Sequence, residues 1–458
     1  MTNKQENLPT LDKSLIITPA GTVRGNAVFI AGGLGNIKGL RSAGVNAGFR
    51  RNPNRRDFAL IVSDQPAVAS GLFTQNRFAA APVLISREHL QHAQVADAAQ
   101  IQPDEGIKAV IINSGTANAS TGEPGSAVAI ASAMLCAEAL ECEPHQILLA
   151  STGVIGKTLA IETFELGIQK ALAELGPSDG SSLDAGHAAA EAIMTTDTYA
   201  KEAALRYKVP RADGSLVEYN LAGIVKGSGM IEPNMATLLG VFATDAKLTQ
   251  AAADAAFKQA IDLSLNKLTV DSDTSTNDTV FFIASGGAVS ATSGEIIDIG
   301  GEGSAHAAFV EALSTLCIEL ARQLAADGEG ATKLVTVCVT GALTDADADL
   351  AARAVANSPL VKTAIAGHDA NWGRIAMALG KSGAVFEQSQ VSIKLMDLPV
   401  CIQGLPISFD EDEALRLFDL LPEIVIEADL GTGGNGTAVI WTCDLTHGYI
   451  TINGDYRS

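Results

Sequence analysis

Apolar positions along this chain fall into two patterns. Short unbroken runs, bounded by glycine and polar turns, occur at FALIVS (58–63), KAVIIN (108–113), QILLAS (146–151), TVFFIAS (279–285) and KLVTVCVTG (333–341). Further runs follow at EIVIEADL (423–430), TAVIWTCDL (437–445) and YITIN (449–453), and LLGVFA (238–243) has the character of a buried strand. Such runs predict β-strands. Between them, Ala- and Leu-rich segments with helical spacing predict helices over 125–140, 158–175, 183–194, 247–265, 304–326 and 346–357, with Thr249 placed as an N-cap. Strands and helices mix without strict alternation. The expected fold is therefore α/β, with layered mixed β-sheets and not a doubly wound parallel sheet. Glycine-rich turns in the last third, such as LGTGGNGTA (430–438), predict antiparallel hairpins. The expected internal boundary is the loop around 226–236.

With 458 residues, the chain has room for two or three domains with sizeable cores. A formal charge of −21 argues against a nucleic-acid partner, because such a surface repels phosphate backbones. Cysteines 136, 142, 317, 338, 401 and 443 form no C-x-x-C pair and no zinc-like spacing. Buried reduced thiols and a cytoplasmic location are expected. The N-terminus lacks a signal pattern, and no uncharged apolar stretch approaches a membrane span, so no membrane partner is expected.

Several motifs fail on inspection. STGVIGKT (151–158) follows a strand as a phosphate loop would, but carries Ser151 where the loop's first glycine belongs. AGGLGNIKG (31–39) has Lys38 at the sixth position of a dinucleotide loop. DSDTSTNDT (271–279) has Thr276 and Phe282 where a calcium loop needs Gly and Glu, and reads as a turn that hydrogen-bonds its own backbone. His368 stands among Asp369, Asn371 and Arg374 without a nearby nucleophile, which suggests capping and hydrogen bonding. KGSGM places Lys226 where a serine-hydrolase elbow needs glycine.

Thr237 remains. It follows small Ala236 and a glycine-rich loop, and precedes an apolar run. It is either the first residue of a strand or a nucleophile. A threonine hydroxyl becomes nucleophilic when its own α-amine serves as base, which requires the preceding peptide bond to break. An α-amine has a pKa of about 7.7–8.0, against about 10.4 for lysine, and so suits work near neutral pH.

The segment KGSGMIEPNMATLLGVFATDA (226–246) closely resembles the processing region of the glutamate N-acetyltransferase / ornithine acetyltransferase family of arginine biosynthesis. GLFTQNRFAAAPV (71–83), KAVIINSGTANASTG (108–122), ASTGVIGK (150–157), MTTDT (194–198), DSDTSTNDT (271–279), DGEGATK (327–333), GHDANWGRI (367–375) and INGDYRS (452–458) extend the resemblance in family order over nearly the whole chain. Segments 17–26, 211–220 and 300–308 depart from it, and Ser120 stands where the family often has cysteine.

The resemblance implies layered mixed sheets flanked by helices, similar to self-processing aminopeptidases, with a smaller C-terminal domain. It implies cleavage between Ala236 and Thr237 into an α chain (1–236) and a β chain (237–458), paired as α2β2. Acetyl transfer from N-acetylornithine to glutamate through an ester on Thr237 is the implied reaction; a self-processed amidase or aminopeptidase of the same architecture is the alternative. A nucleotide-dependent kinase using 151–158 and an uncleaved binding module are the more distant ones. By the same resemblance, Thr152 and Gly153 form the oxyanion hole, while Thr195 (or Thr196), Lys226, Glu329, Asn453 and Ser458 bind substrate. Ser458 replaces the commoner threonine and keeps its hydroxyl. No metal or cofactor is implied, and whether acetyl-CoA serves as a further donor stays open.

Overall fold

A single long strand organises the larger part of the molecule. The structure, a computed structural model, describes residues 11–98, 106–211, 213–232, 238–288 and 298–455. In chain order the first strands are β1 (Val23–Arg24), β2 (Ala27–Ile30), β3 (Leu40–Val45), β4 (Phe58–Phe73), β5 (Ile107–Thr116) and β6 (Ile147–Val154). β7 (Lys201–Pro210), β8 (Leu216–Lys226), β9 (Leu239–Thr244), β10 (Lys247–Leu248), β11 (Thr279–Ala284) and β12 (Asp298–Ile299) follow. β10 and β12 form a small parallel pair, and the rest join one sheet in the order β1-β2-β7-β8-β9-β11-β4-β5-β6, with β3 also on β4. β4 serves two halves of this sheet: Phe58–Ser63 pairs with β3, and Val68–Phe73 pairs with β11. A register shift between Val62 and Ala67 marks the change.

Side-chain alternation then builds the layers. Val110 and Ile112 of β5 and Leu148 of β6 share one core with Val241 of β9 and Phe281 and Ile283 of β11, so the two halves of the sheet face each other. Their opposite faces are covered by helices. Phe242, Val280 and Phe282 pack under α5 and α6, while Ala109, Ile111 and Leu149 pack under α2 and α3. These helices, with α1 and α4, span Ala81–Ala98 (α1), Gly122–Leu140 (α2), Ile161–Glu174 (α3), Leu183–Ile193 (α4), Gln250–Asp262 (α5) and Gly303–Ala326 (α6). Strands buried on both faces explain why their sequences are unbroken apolar runs.

A smaller C-terminal unit has its own sheet: β13 (Leu334–Ala342), β14 (Ser392–Leu395), β15 (Leu398–Ile402), β16 (Leu405–Pro406), β17 (Glu423–Asp429) and β18 (Gly436–Cys443). Helices α7 (Asp345–Ala356), α8 (Pro359–Ala366), α9 (Trp372–Gly380) and α10 (Glu411–Leu420) accompany it, and α11 (His447–Asp455) ends the described chain. The result is the layered, mixed α/β architecture expected.

Some expectations need correction. The 430–438 turn closes no hairpin, because β13 lies between its flanking strands, parallel to β17 and antiparallel to β18. Residues 449–453 are helical, not extended: Thr451 Oγ1 donates to the His447 carbonyl and Asn453 Nδ2 to that of Tyr449, one turn back each time. Lys247 and Leu248 are strand, and the helix begins only after Thr249, whose hydroxyl accepts the Ala252 N–H. The 226–236 stretch joins neighbouring strands, since β8 and β9 pair with Lys226 opposite Leu239. A boundary there divides the chain without dividing the sheet. The helix expected from 158 starts only at Ile161, and residues 152–154 still belong to β6, which agrees with the rejection of STGVIGKT as a phosphate loop.

Other expectations hold. Asn371 caps α9 by accepting the Arg374 N–H, while His368 stacks on Phe418 and meets Asp419 at 2.9 Å. All six cysteines are free, four of them buried; Cys142 and Cys338 are only half-buried. The expectation that no stretch approaches a membrane span does not hold by length and composition, since among the described residues one helix, α6, is long and apolar enough; it packs on the sheet through Phe309, Leu316 and Leu320 and buries Glu319.

Candidate active site

The two halves of the large sheet open onto one cavity. Thr152 and Gly153 arrive from the end of β6, Lys226 from the end of β8, and Leu238 and Leu239 from the start of β9. Thr195 and Thr196 follow α4, Glu329 follows α6, and Asn453 comes from α11. The cavity measures about 110 Å³. One water needs only ~10–15 Å³ on the same kind of measure, so a small molecule fits.

Local conformation explains several residue types. Gly153 has φ +129°, and a Cβ there would lie 2.3 Å from the Gly115 carbonyl carbon, so both conformation and space demand glycine. Gly229 has a different reason: its Cβ would lie 2.3 Å from Glu329 Oε2, so the glycine admits that carboxylate. Asn277 donates to the Ala117 and Ser151 carbonyls and ties the ends of β5 and β6 to the strand start at β11.

Lys226 is buried, and its Nζ donates to Thr152 Oγ1 at 3.3 Å. Burial pulls its pKa down; Asp197 opposes that shift and Lys201 reinforces it. Glu329 is also buried, and its Oε2 accepts a 2.6 Å hydrogen bond from Asn453 Nδ2. Thr195 donates its N–H to Asp197, whereas the Thr196 hydroxyl shares a 2.6 Å hydrogen bond with Ser228.

Behind the cavity lies a buried charge network. Lys201 Nζ sits 2.7 Å from Asp197 and 2.5 Å from Asp327, with all three side chains fully buried. Burial alone would raise Asp197, but the Lys201 and Lys226 cations overcome it and hold the carboxyl below its ordinary range. Asp197 also accepts the Gly227 N–H at 2.7 Å, while Asp327 accepts the Thr198 N–H and pairs with Lys13 at 3.5 Å. The Thr195 loop, the Lys226 turn and the end of α6 are thus fixed to one another.

The cavity unites Thr152, Gly153, Thr195, Lys226, Glu329 and Asn453 from the sequence-derived set. Ala236, Thr237 and Ser458 lie outside the described residues, although Leu238, next to Thr237, is in the wall. Sequence reasoning missed Asp197, Asn277 and Met230. Asp197 stands inside the MTTDT segment, but only the fold reveals that Lys201 and Gly227 converge on it. Among the described residues no cluster could hold a metal ion.

Fold and cavity together define an enzyme for small polar substrates, its site set between two facing β-layers. The profile of the ArgJ family matches residues 41–458. The arginine biosynthesis bifunctional protein ArgJ of Symbiobacterium thermophilum is 44% identical over 432 residues, covering 94% of this chain and all of the relative. Among solved structures, arginine biosynthesis bifunctional protein ArgJ from Bacillus halodurans is 40% identical, with TM-score 0.44 over 47% of this chain and 98% of that one. Ornithine acetyltransferase from Mycobacterium tuberculosis, complexed with ornithine, is 33% identical, with TM-score 0.37 over 46% of this chain and 99% of that one. The chain belongs to the ArgJ family.

Proposed function

We propose that this enzyme of arginine biosynthesis moves an acetyl group from N2-acetyl-L-ornithine to L-glutamate through an ester on Thr237. It first cuts itself between Ala236 and Thr237. Thr237 Oγ attacks the Ala236 carbonyl, the proton passes to the departing nitrogen, and the acyl group shifts from N to O. Water then releases the ester, leaving an Ala236 carboxylate and a free Thr237 amine. The amine serves as base when Thr237 attacks the acetyl carbonyl; ornithine leaves, and the glutamate α-nitrogen takes the acetyl group in a second, reverse attack.

The observation that carries this reading is convergence. A hydroxyl (Thr152), a glycine at positive φ (Gly153), a buried cation (Lys226) and a buried carboxylate (Glu329) line one cavity with Leu238, the neighbour of Thr237. Because Lys226 donates into the Thr152 oxygen, the hydroxyl's own hydrogen is left for another acceptor, the role an oxyanion would fill. Lys226 suits the α-carboxylate of either amino acid, and Glu329 with Asn453 suits the ornithine ammonium. Thr195 supplies a further binding hydroxyl, and Ser458 closes the set. No cofactor enters the scheme, and acetyl-CoA is a candidate second donor. The chains 1–236 and 237–458 stay together, two of each.

Intact mass spectrometry tests the core of this reading. Wild-type protein should give fragments 1–236 and 237–458, and Thr237→Ala one unbroken chain without transferase activity. A whole wild-type chain with full turnover would overturn it.

A further inference from the structure

The segment singled out as a failed calcium loop has work that the reaction above does not assign to it. Residues 233–237 contain the proposed cut, and both flanks of that stretch are gripped by one continuous piece of chain, 270–279. Upstream, the Asp271 carboxylate accepts two successive backbone N–H groups, Met230 at 2.7 Å and Ile231 at 2.8 Å. Val270 N–H donates to the Ile231 carbonyl at 2.7 Å, and Glu232 N–H donates to that of Asp273 at 3.0 Å. The Thr274 hydroxyl then donates to the Glu232 carbonyl at 3.1 Å. Downstream, Thr279 N–H donates to the Leu238 carbonyl at 2.9 Å and begins the β9–β11 ladder, Thr279 opposite Leu239. Between these grips, Asn277 reaches the Ser151 carbonyl, one residue before Thr152.

We propose that residues 270–279 form a brace that sets the geometry of self-cleavage, with Asp271 as its principal positioning residue. The inference rests on the self-cleavage reading and deepens it. Met230 has φ +55°, a left-handed conformation that costs a non-glycine residue energy and needs support from its surroundings. Asp271 supplies that support: it holds the N–H of the strained residue and of the one after it. The upstream strand end, the downstream strand start and the oxyanion strand are therefore referenced to the same short segment. An attack of Thr237 on the carbonyl beside it depends on angle and approach, for which misplacement by an ångström costs orders of magnitude in rate. The same contacts retain the upstream end after the cut, since none of them crosses the broken bond. Tyr449 adds its hydroxyl to Asp271 at 3.1 Å, so the helix that carries Asn453 rests on the brace as well.

The test follows cleavage of freshly synthesised full-length chain by intact mass, for wild type and Asp271→Asn. In the variant an amide replaces one acceptor oxygen and turns its own N–H groups toward backbone donors. Cleavage should slow by roughly tenfold or more, while acetyl transfer per cleaved chain stays within about threefold of wild type, as expected when a change alters cleavage alone. Thr274→Val, which removes only the hydroxyl on the Glu232 carbonyl, should slow cleavage by a smaller factor and guards against misfolding of the first variant. Tyr449→Phe should leave the cleavage rate within about twofold, because the two backbone N–H bonds remain. Wild-type cleavage rates in both Asp271→Asn and Thr274→Val would overturn the brace. Absence of cleavage in the wild type would instead overturn the reading beneath it.

Discussion

At the scale of single residues, two groups show how environment decides chemistry. Thr152 is an ordinary hydroxyl set apart by position: it lines the cavity, and because Lys226 donates to its oxygen, its hydrogen is left for another acceptor. Thr152→Val keeps the shape and removes the donor, so kcat should fall by about 10²–10³-fold with the fold intact, read by steady-state kinetics beside circular dichroism. Asp245 shows the opposite, a structural group away from the cavity. Burial pushes its carboxyl up to about 6 from 3.8, against hydrogen bonds from the Asn220 backbone and amide. A raised folded pKa means the folded protein keeps this proton longer than the unfolded chain. The stability it contributes is complete below pH 3.8 and is lost as pH rises through about 6. The difference amounts to about 3 kcal/mol at most. Asp245→Asn cannot ionise, so its urea-unfolding stability should change less than wild type's between pH 4 and 7.

At the scale of elements, the loops around the site are tied together by the buried Asp197–Lys201–Asp327 network. Asp197→Ala leaves Lys201 with Asp327 alone and frees the Gly227 and Thr195 N–H groups. Removing one partner of a buried pair costs about 3–5 kcal/mol, which chemical denaturation would register. Elements also show what the sequence makes legible. Strands β6, β9 and β11, with Phe58–Val62 of β4 and Ala109–Ile112 of β5, announce themselves because runs buried on both faces have no polar interruptions, whereas β17 and β18 alternate buried with more exposed positions and show through their β-branched residues. β7 and β8 do not, since KEAALRYKVP and LVEYNLAGIVK expose Arg206, Lys208 and Glu218 on the way. YITIN looks like a strand and becomes α11, because its β-branched residues are overruled by where the chain must pack. Of the site, the residues carried by resemblance are those near recognisable motifs. Asp197 and Asp271 lie inside recognisable motifs as well, in MTTDT and DSDTSTNDT, but escape because their partners, Lys201 and Met230, gain meaning only through the fold.

At the scale of the whole molecule, the cavity draws on distant parts of the chain, from Ala117 to Asn453. The last described helix therefore serves the site and is no loose end. Gly330 lacks a Cβ where one would meet the Tyr449 nitrogen at 2.5 Å, so α11 sits directly on the loop that bears Glu329. Asn453→Ala removes the amide from Glu329 Oε2. The KM for acetylornithine should rise about tenfold, with kcat changed far less, because the lost contact is a hydrogen bond to a charged group.

The ladder between β8 and β9 runs from Leu221 opposite Thr244 to Lys226 opposite Leu239, on either side of the proposed cut. Before that cut, recovery from denaturation is a search by one polymer for its own ends. Afterwards it is an encounter between two separate partners that must find each other in dilute solution. A mature enzyme built this way keeps its shape only while it is never taken apart, and its lifetime is governed by the barrier to separation rather than by any return journey.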